Sequence, residues 1–298
     1  MEQFDHNQYV SMTMEFRCNL HCAHCMIEGT MDKLVPQSMD NFKELLDYNK
    51  KEKRWKGLIL TGSEITLFNN LPELARMAKD AGFEHVRIQT HGMHLDNKPY
   101  CASLIEAGVD EYFVSVAGCD PATHDAITEV EGSFERTLHG LENLDEYDHV
   151  TSITNSVVTA LSYRFLSDIV DKLAHLKQLK QMEFWVYWPM SETDEKNLVV
   201  NNLEILPYLK SAVKMAKELG RSVEIKNFPQ CLLEEDGELL VNDQPQLFID
   251  PAFWDQFMRN GFYQCKHIEA CQSKQCLGMS TAYVQKFGWQ ENDLHPLS

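Results

Sequence analysis

The chain has 298 residues, 44% of them hydrophobic and 24% charged, enough to fill one large α/β core and not compositionally disordered. Its 27 basic and 45 acidic residues leave a net charge of −18, which argues against a nucleic-acid partner because phosphate binding needs a positive face. A cationic substrate is compatible with that charge, and so is an ordinary acidic cytosolic protein.

The first ten residues are polar, with no basic segment leading into an apolar run, so no signal peptide is expected. No stretch approaches the roughly 20 apolar residues that span a bilayer. The expectation is a cytoplasmic protein that does not use a membrane. In that reducing setting the nine cysteines should be free or ligated to metal rather than paired in disulfides. Three fall in one eight-residue window, from Cys18 to Cys25, and four lie after residue 230.

In chain order, residues 10–15 read as a first strand, and Ser38 can cap a helix running to about residue 51. Residues 57–61 form an apolar strand, followed by a helix over 71–81 that Gly82 ends. A strand at 85–90, a helix at 102–107 and a strand at 111–116 come next. Helices over 121–127 and 133–144, a strand at 150–159, a helix at 165–176 and a strand at 181–188 complete the run. Six strands with a helix in nearly every gap predict a mostly parallel sheet. Six units are too few for a closed eight-unit barrel, so an incomplete, curled barrel is expected, with its chemistry at the C-terminal strand ends. Past Pro189 a helix over 203–219 and a strand over 223–227 precede turn-rich residues 232–262. A boundary near residue 190 divides the chain into a 1–190 barrel and a 191–298 extension.

Cys18, Cys22 and Cys25 have the spacing C-x3-C-x2-C and directly follow the first strand. Three thiolates suit zinc, with His21 or His24 as a fourth ligand, or an iron–sulfur cluster with one open iron. In spacing and position this loop resembles the signature of the radical S-adenosylmethionine (SAM) superfamily. The resemblance implies an α/β fold, an incomplete (β/α)6 barrel with a small C-terminal auxiliary-cluster extension. It also implies a [4Fe–4S] cluster on Cys18, Cys22 and Cys25, with SAM chelating the fourth iron. His24 stands where relatives often place an aromatic residue against the adenine. Gly62, Ser63 and Glu64 occupy the place of the family's Gly-Gly-Glu, with Ser63 for the second glycine and Ile65 where proline is common. Glu64 is then expected to accept from the SAM ammonium group. His91 replaces asparagine in a Thr-Asn-Gly element after the third strand. Ser115 and Asn155 match polar SAM contacts, although a strand serine or asparagine satisfied inside the barrel is equally ordinary. His124 and Asp125 match a His-Asp pair that opens the next helix.

Cys231, Cys265, Cys271 and Cys276 partly resemble the auxiliary-cluster extensions called SPASM or twitch domains. Four thiolates can close a second [4Fe–4S] cluster or hold zinc, or three can bind and leave one iron open. The tail aromatics Tyr283 and Phe287 read as a supporting shell.

The resemblance implies reductive cleavage of SAM to a 5′-deoxyadenosyl radical that takes hydrogen from an unactivated carbon. Epimerisation would need a thiol donor, for which Cys119 and Cys231 are candidates; oxidation or cross-linking would use the auxiliary cluster; a lyase or rearrangement needs neither. Cys119 is otherwise a small buried apolar residue. The first strand starts within ten residues, which leaves no room for an N-terminal leader-binding domain and favours a natural-product small molecule, or a peptide recognised with help from another protein. A low-potential donor such as flavodoxin or ferredoxin would supply the electron. The competing class is a zinc-stabilised, non-catalytic α/β binding protein.

Overall fold

The computed structural model describes residues 5–27 and 29–298; Glu28 and residues 1–4, the start of the segment read above for a signal peptide, lie outside it. The strands are β1 (Tyr9–Glu15), β2 (Gly57–Gly62), β3 (His85–Thr90), β4 (Glu111–Ser115), β5 (Thr151–Val158), β6 (Leu179–Val186), β7 (Ser222–Lys226) and β8 (Gln246–Phe248). Between them run α1 (Met39–Glu52), α2 (Leu71–Asp80), α3 (Lys98–Glu106), α4 (Pro121–Thr128), α5 (Ser133–Asp145), α6 (Leu166–Lys172) and α7 (Asn202–Glu218). The last third adds α8 (Gln230–Leu233), α9 (Ala252–Phe257) and α10 (Thr281–Phe287). All eight strands join one parallel sheet in the order β7-β6-β5-β4-β3-β2-β1-β8. This is the open α/β barrel of the sequence-based expectation, with one strand added at each edge.

Local chemistry sets the helix ends. The Ser38 hydroxyl accepts from the Asn41 amide at 3.1 Å to start α1, which buries Phe42, Leu45, Leu46 and Asn49 at helical spacing. Asp120 and Thr123 form a capping box at α4, with Pro121 in the first turn. Helix α3 starts four residues before the expected 102, because the Asn97 side chain accepts from the Tyr100 amide and Pro99 sits in the first turn. Helix α6 ends at Lys172, short of the expected 176, where the chain turns at Leu173–Leu176.

Strand alternation sorts the two faces. Val10, Met12, Leu58, Leu60, Val86, Ile88, Val114, Met182 and Phe184 pack with the helices in one continuous core, each worth roughly 1.5–3 kcal/mol on full burial. The intervening residues, among them Thr13, Asn155, Glu183 and Glu224, line the concave side. Strand β8 pairs with β1, while Leu240 bridges Ile225 and the Val241 amide donates to the Ile225 carbonyl at 3.0 Å. Residues 240–248 therefore run from one edge of the sheet to the other. The sheet thus continues past residue 190, drawing β7 and β8 from the C-terminal part. A second small apolar cluster, Phe16, Leu34 and Phe253 with Ile27, Met190, Ile249 and Phe257, ties the loop after β1 to α9.

Candidate active site

The loop that follows β1 carries Cys18, Cys22 and Cys25 and is anchored from several sides. The His21 amide donates to the Thr128 carbonyl at 3.0 Å and the Ala23 amide to the Ile127 carbonyl at 2.8 Å, fixing it on the end of α4. Lys196 Nζ donates to the Ala23 carbonyl at 2.9 Å. The Ser63 and Glu64 amides donate to the carbonyls of Glu15 and Arg17 at 2.9 and 3.1 Å. Gly62 is required there, since a Cβ would lie 1.9 Å from the Glu15 carbonyl oxygen. The Leu20 amide points at the Cys18 sulfur at 3.4 Å.

The three thiols sense one another. Burial, with the Cys25 and Cys18 thiols beside it, pushes Cys22 up to about 12. Burial also raises Cys18, to which the Cys25 thiol and Glu64 add. Among the described residues no three His, Cys, Asp or Glu side chains close around a single metal ion.

Glu64 is fully buried and already satisfied. One carboxylate oxygen accepts the Thr66 amide at 2.9 Å, the Thr66 hydroxyl at 2.5 Å and the Thr90 hydroxyl at 2.6 Å. The other accepts the His91 amide at 2.8 Å and lies 3.1 Å from His91 Nε2. That nitrogen also meets the Asn19 side-chain oxygen at 2.7 Å, while His91 Nδ1 accepts from the Met93 amide at 3.1 Å. Glu64 and His91 thus lace the ends of β2 and β3 to the cysteine loop. Gly92 follows with φ of 83°, a left-handed conformation that favours glycine.

The remaining positions expected to contact SAM share a different property. His24 Nδ1, Ser63 Oγ and Asn155 Oδ1 are buried polar atoms without a hydrogen-bond partner in the protein. Buried polar atoms are nearly always paired; those of His24 and Ser63 fit a polar molecule bound against the cysteine loop, and that of Asn155 one bound on the concave face. Burial brings the His24 ring down to about 4, so it is neutral at neutral pH. Ser115 is exposed at the end of β4 and pairs in register with Asn155. His124 is buried, with Nδ1 3.1 Å from the Ser133 hydroxyl. Asp125 accepts from the Gly132 and Phe134 amides at 2.7 and 2.8 Å and caps α5.

The second cysteine group meets in the C-terminal part. Cys231 on α8 joins Cys265, Cys271 and Cys276 around one recess, with His267 and His295 at its wall. Amide N–H groups point at two of the sulfurs, Gly278 to Cys276 and Leu297 to Cys271, each at 3.4 Å. Burial raises Cys231 and Cys276, and Cys265 adds to both. Tyr283 supports this part by donating to Gln290 and accepting from the Asn202 amide at 2.9 Å. Cys119 lies 3.9 Å from the Thr123 hydroxyl of α4, and burial raises its pKa. Sequence reasoning assigned no role to Asn19, Thr66, Thr90 and Lys196, whose hydrogen bonds to His91, Glu64 and Ala23 form only in the folded chain.

The sequence profile of the Radical SAM superfamily matches residues 13–180, more than half of the chain. The AdoMet-dependent heme synthase of Methanosarcina barkeri is 32% identical over 187 residues, covering 61% of this chain and 51% of that protein. The chain thus spans about half the length of this curated relative. Among solved structures, Streptococcus suis SuiB bound to its precursor peptide SuiA superposes with a TM-score of 0.60 at 13% identity, over 79% of this chain and 52% of that one. The anSMEcpe protein with bound AdoMet and Kp18Cys peptide gives 0.58 at 15% identity, over 73% of this chain and 63% of that one. At these identities the structural matches establish the fold. No helix among the described residues is long and apolar enough to cross a membrane.

Proposed function

Since the chain belongs to the radical SAM superfamily and is an enzyme of that kind, we propose that it oxidises or cross-links a small molecule or peptide at an unactivated carbon. Cys18, Cys22 and Cys25 would hold the [4Fe–4S] cluster that this superfamily uses with SAM, and Cys231, Cys265, Cys271 and Cys276 a second one. When bound, the first cluster and SAM supply a 5′-deoxyadenosyl radical and the second cluster supplies an electron acceptor.

The chain's own residues do the placing. Neutral His24 presents a ring nitrogen in the cysteine loop, Ser63 and Ser115 offer hydrogen bonds at the ends of β2 and β4, and Asn155 offers one from within β5. Glu64 and His91 hold that loop rigid from below. Aromatic contacts at the concave side, Phe113 with Trp185 at 5.8 Å, pack the floor of the substrate space. Residues 191–298 form the cluster-bearing extension in this reading, while lending β7 and β8 to the sheet.

The observation that carries oxidation over epimerisation is the gathering of Cys231 with three other cysteines around one recess. As a ligand there, one candidate hydrogen donor would be taken up, and the other, Cys119, packs against Thr123 of α4. A peptide substrate is supported by SuiB, the structural neighbour crystallised with a precursor peptide. A low-potential flavodoxin or ferredoxin would deliver the electron.

The test is iron, sulfide and zinc analysis of anaerobically reconstituted protein, then 5′-deoxyadenosine release with dithionite and SAM. About eight irons, as two four-iron cubes require, with deoxyadenosine formed, support the reading. Zinc without iron, and no deoxyadenosine, would replace it with a zinc-stapled binding protein. Retention of product formation in Cys119→Ala, without solvent deuterium in the product, separates oxidation from epimerisation.

A further inference from the structure

One row of residues crosses the concave face at a single level. Ser115 on β4 pairs with Asn155 on β5, Asn155 with Glu183 on β6, and Glu183 with Glu224 on β7. Side chains of register partners in a parallel sheet point the same way, roughly 4.8 Å apart. Burial deepens along the row: Ser115 is exposed, Asn155 is 6% exposed, Glu183 2% and Glu224 0%.

The two carboxylates are provided for unequally. Glu224 has His6 Nε2 at 3.1 Å and Lys226 Nζ at 3.4 Å, and Lys226 is further committed to the Val241 carbonyl at 2.6 Å. Glu183 accepts from two neutral donors, the Gln181 amide at 2.9 Å and the Trp185 indole at 2.7 Å. Burial and the neighbouring Glu224 charge raise its pKa, against the more distant pull of Lys226. Next to it stands Asn155, whose buried side-chain oxygen has no donor at all. An under-compensated acid beside an unpaired acceptor is costly to keep inside a protein. A ligand that is both cationic and rich in N–H donors answers both deficits together.

We propose that Asn155 and Glu183 bind a positively charged nitrogen of the substrate, a primary ammonium or a guanidinium, which enters past Ser115. The inference rests on the radical SAM reading above, which puts SAM and substrate at these strand ends, and it narrows the substrate to an amine- or guanidine-bearing compound. Asn155 then serves the substrate at the border of the SAM site. Trp185, half-buried, holds Glu183 through its indole N–H, and its ring packs on Phe113 at 5.8 Å with the Lys226 ammonium 5.7 Å from its centroid.

The experiment uses reconstituted protein with SAM and follows its melting temperature against n-butylammonium, n-butylguanidinium and the neutral isostere 1-pentanol at constant ionic strength. Wild type should be stabilised by the cations and not by the alcohol. Glu183→Gln should weaken their apparent affinity about tenfold or more, each variant being compared with its own ligand-free melting temperature. Asn155→Ala provides a second variant should the first fold poorly, and it too should lose the cation response. Equal responses to cation and alcohol, or cation responses unchanged in both variants, would overturn the proposal. So would a Glu183→Gln protein that keeps the cation response but loses SAM in equilibrium dialysis, since the charge would then serve the cofactor. Failure of the radical SAM reading shows separately, as wild type that releases no 5′-deoxyadenosine.

Discussion

Changing Glu64 to Gln separates a carboxylate that holds the site together from one that contacts a cofactor. One oxygen takes three donors from Thr66 and Thr90, and an amide oxygen in its place keeps them. The other takes the His91 amide at 2.8 Å and faces His91 Nε2 at 3.1 Å, where a side-chain NH2 would oppose two donors. The His91 ring retains Asn19 at 2.7 Å, but a backbone N–H cannot turn away. One lost charge-assisted bond plus one unmatched buried N–H costs about 3 kcal/mol, roughly a hundredfold in the folding equilibrium. Anaerobic urea unfolding followed by circular dichroism reads that loss, and equilibrium dialysis on the same preparations reads SAM binding by the folded fraction. The expected result is a clearly lower urea midpoint with SAM binding largely kept. A variant as stable as wild type that no longer binds SAM would refute the argument and make Glu64 a cofactor contact.

Ser63→Ala should do the reverse, because its hydroxyl has no partner in the protein: stability should stay within about 0.5 kcal/mol while dialysis shows weaker SAM binding, and unchanged binding would remove Ser63 from the site. Gly62→Ala drives a Cβ to 1.9 Å from the Glu15 carbonyl, so the urea midpoint should fall by the equivalent of about 3 kcal/mol or more; a wild-type midpoint would contradict the close approach of β1 and β2. Asp125 is subject to burial, which raises its pKa, but the Phe134 amide, Ser133 hydroxyl and Gly132 amide outweigh this and hold it below the usual carboxylate range. Its stabilisation is therefore present above the unfolded value of about 3.9 and is lost as pH falls through the lowered folded value. Asp125→Asn should cost about 1–2 kcal/mol at neutral pH, and its melting-temperature deficit should hold down to about pH 4 and shrink below it; a deficit that persists well below about pH 4 would mean the charge is not what caps α5.

The strands and most helices were legible because their apolar runs and caps are local: residues 85–90 are apolar at every second position, and Ser38 marks the start of α1 as expected. Strand β8 was not, since three residues carry no periodicity and its pairing partner lies more than 200 positions away. Cysteine spacing marked both candidate groups, and the structure brings Cys231 together with the later three. The role of Glu64 was hidden, because its donors come from Thr66, Thr90 and His91, on segments that meet only after folding. Glu183 and Glu224 were hidden for another reason. Alternating polar residues on a strand ordinarily mean a solvent face, whereas here they line the inside of a curled sheet.

The strap of residues 240–248 also constrains how the chain is made. Strand β1 can pair with β2 soon after synthesis starts, but its other edge waits for β8. At typical ribosomal speeds of about 5–20 residues per second, the wait is on the order of 10–50 s. Throughout it the cysteine loop hangs from a half-covered strand, and the aromatic patch of α9 that seals its flank does not yet exist. The flank of the cysteine loop is therefore completed only once residues 246–257 have been made, which ties the earliest motif of the chain to one of its late segments.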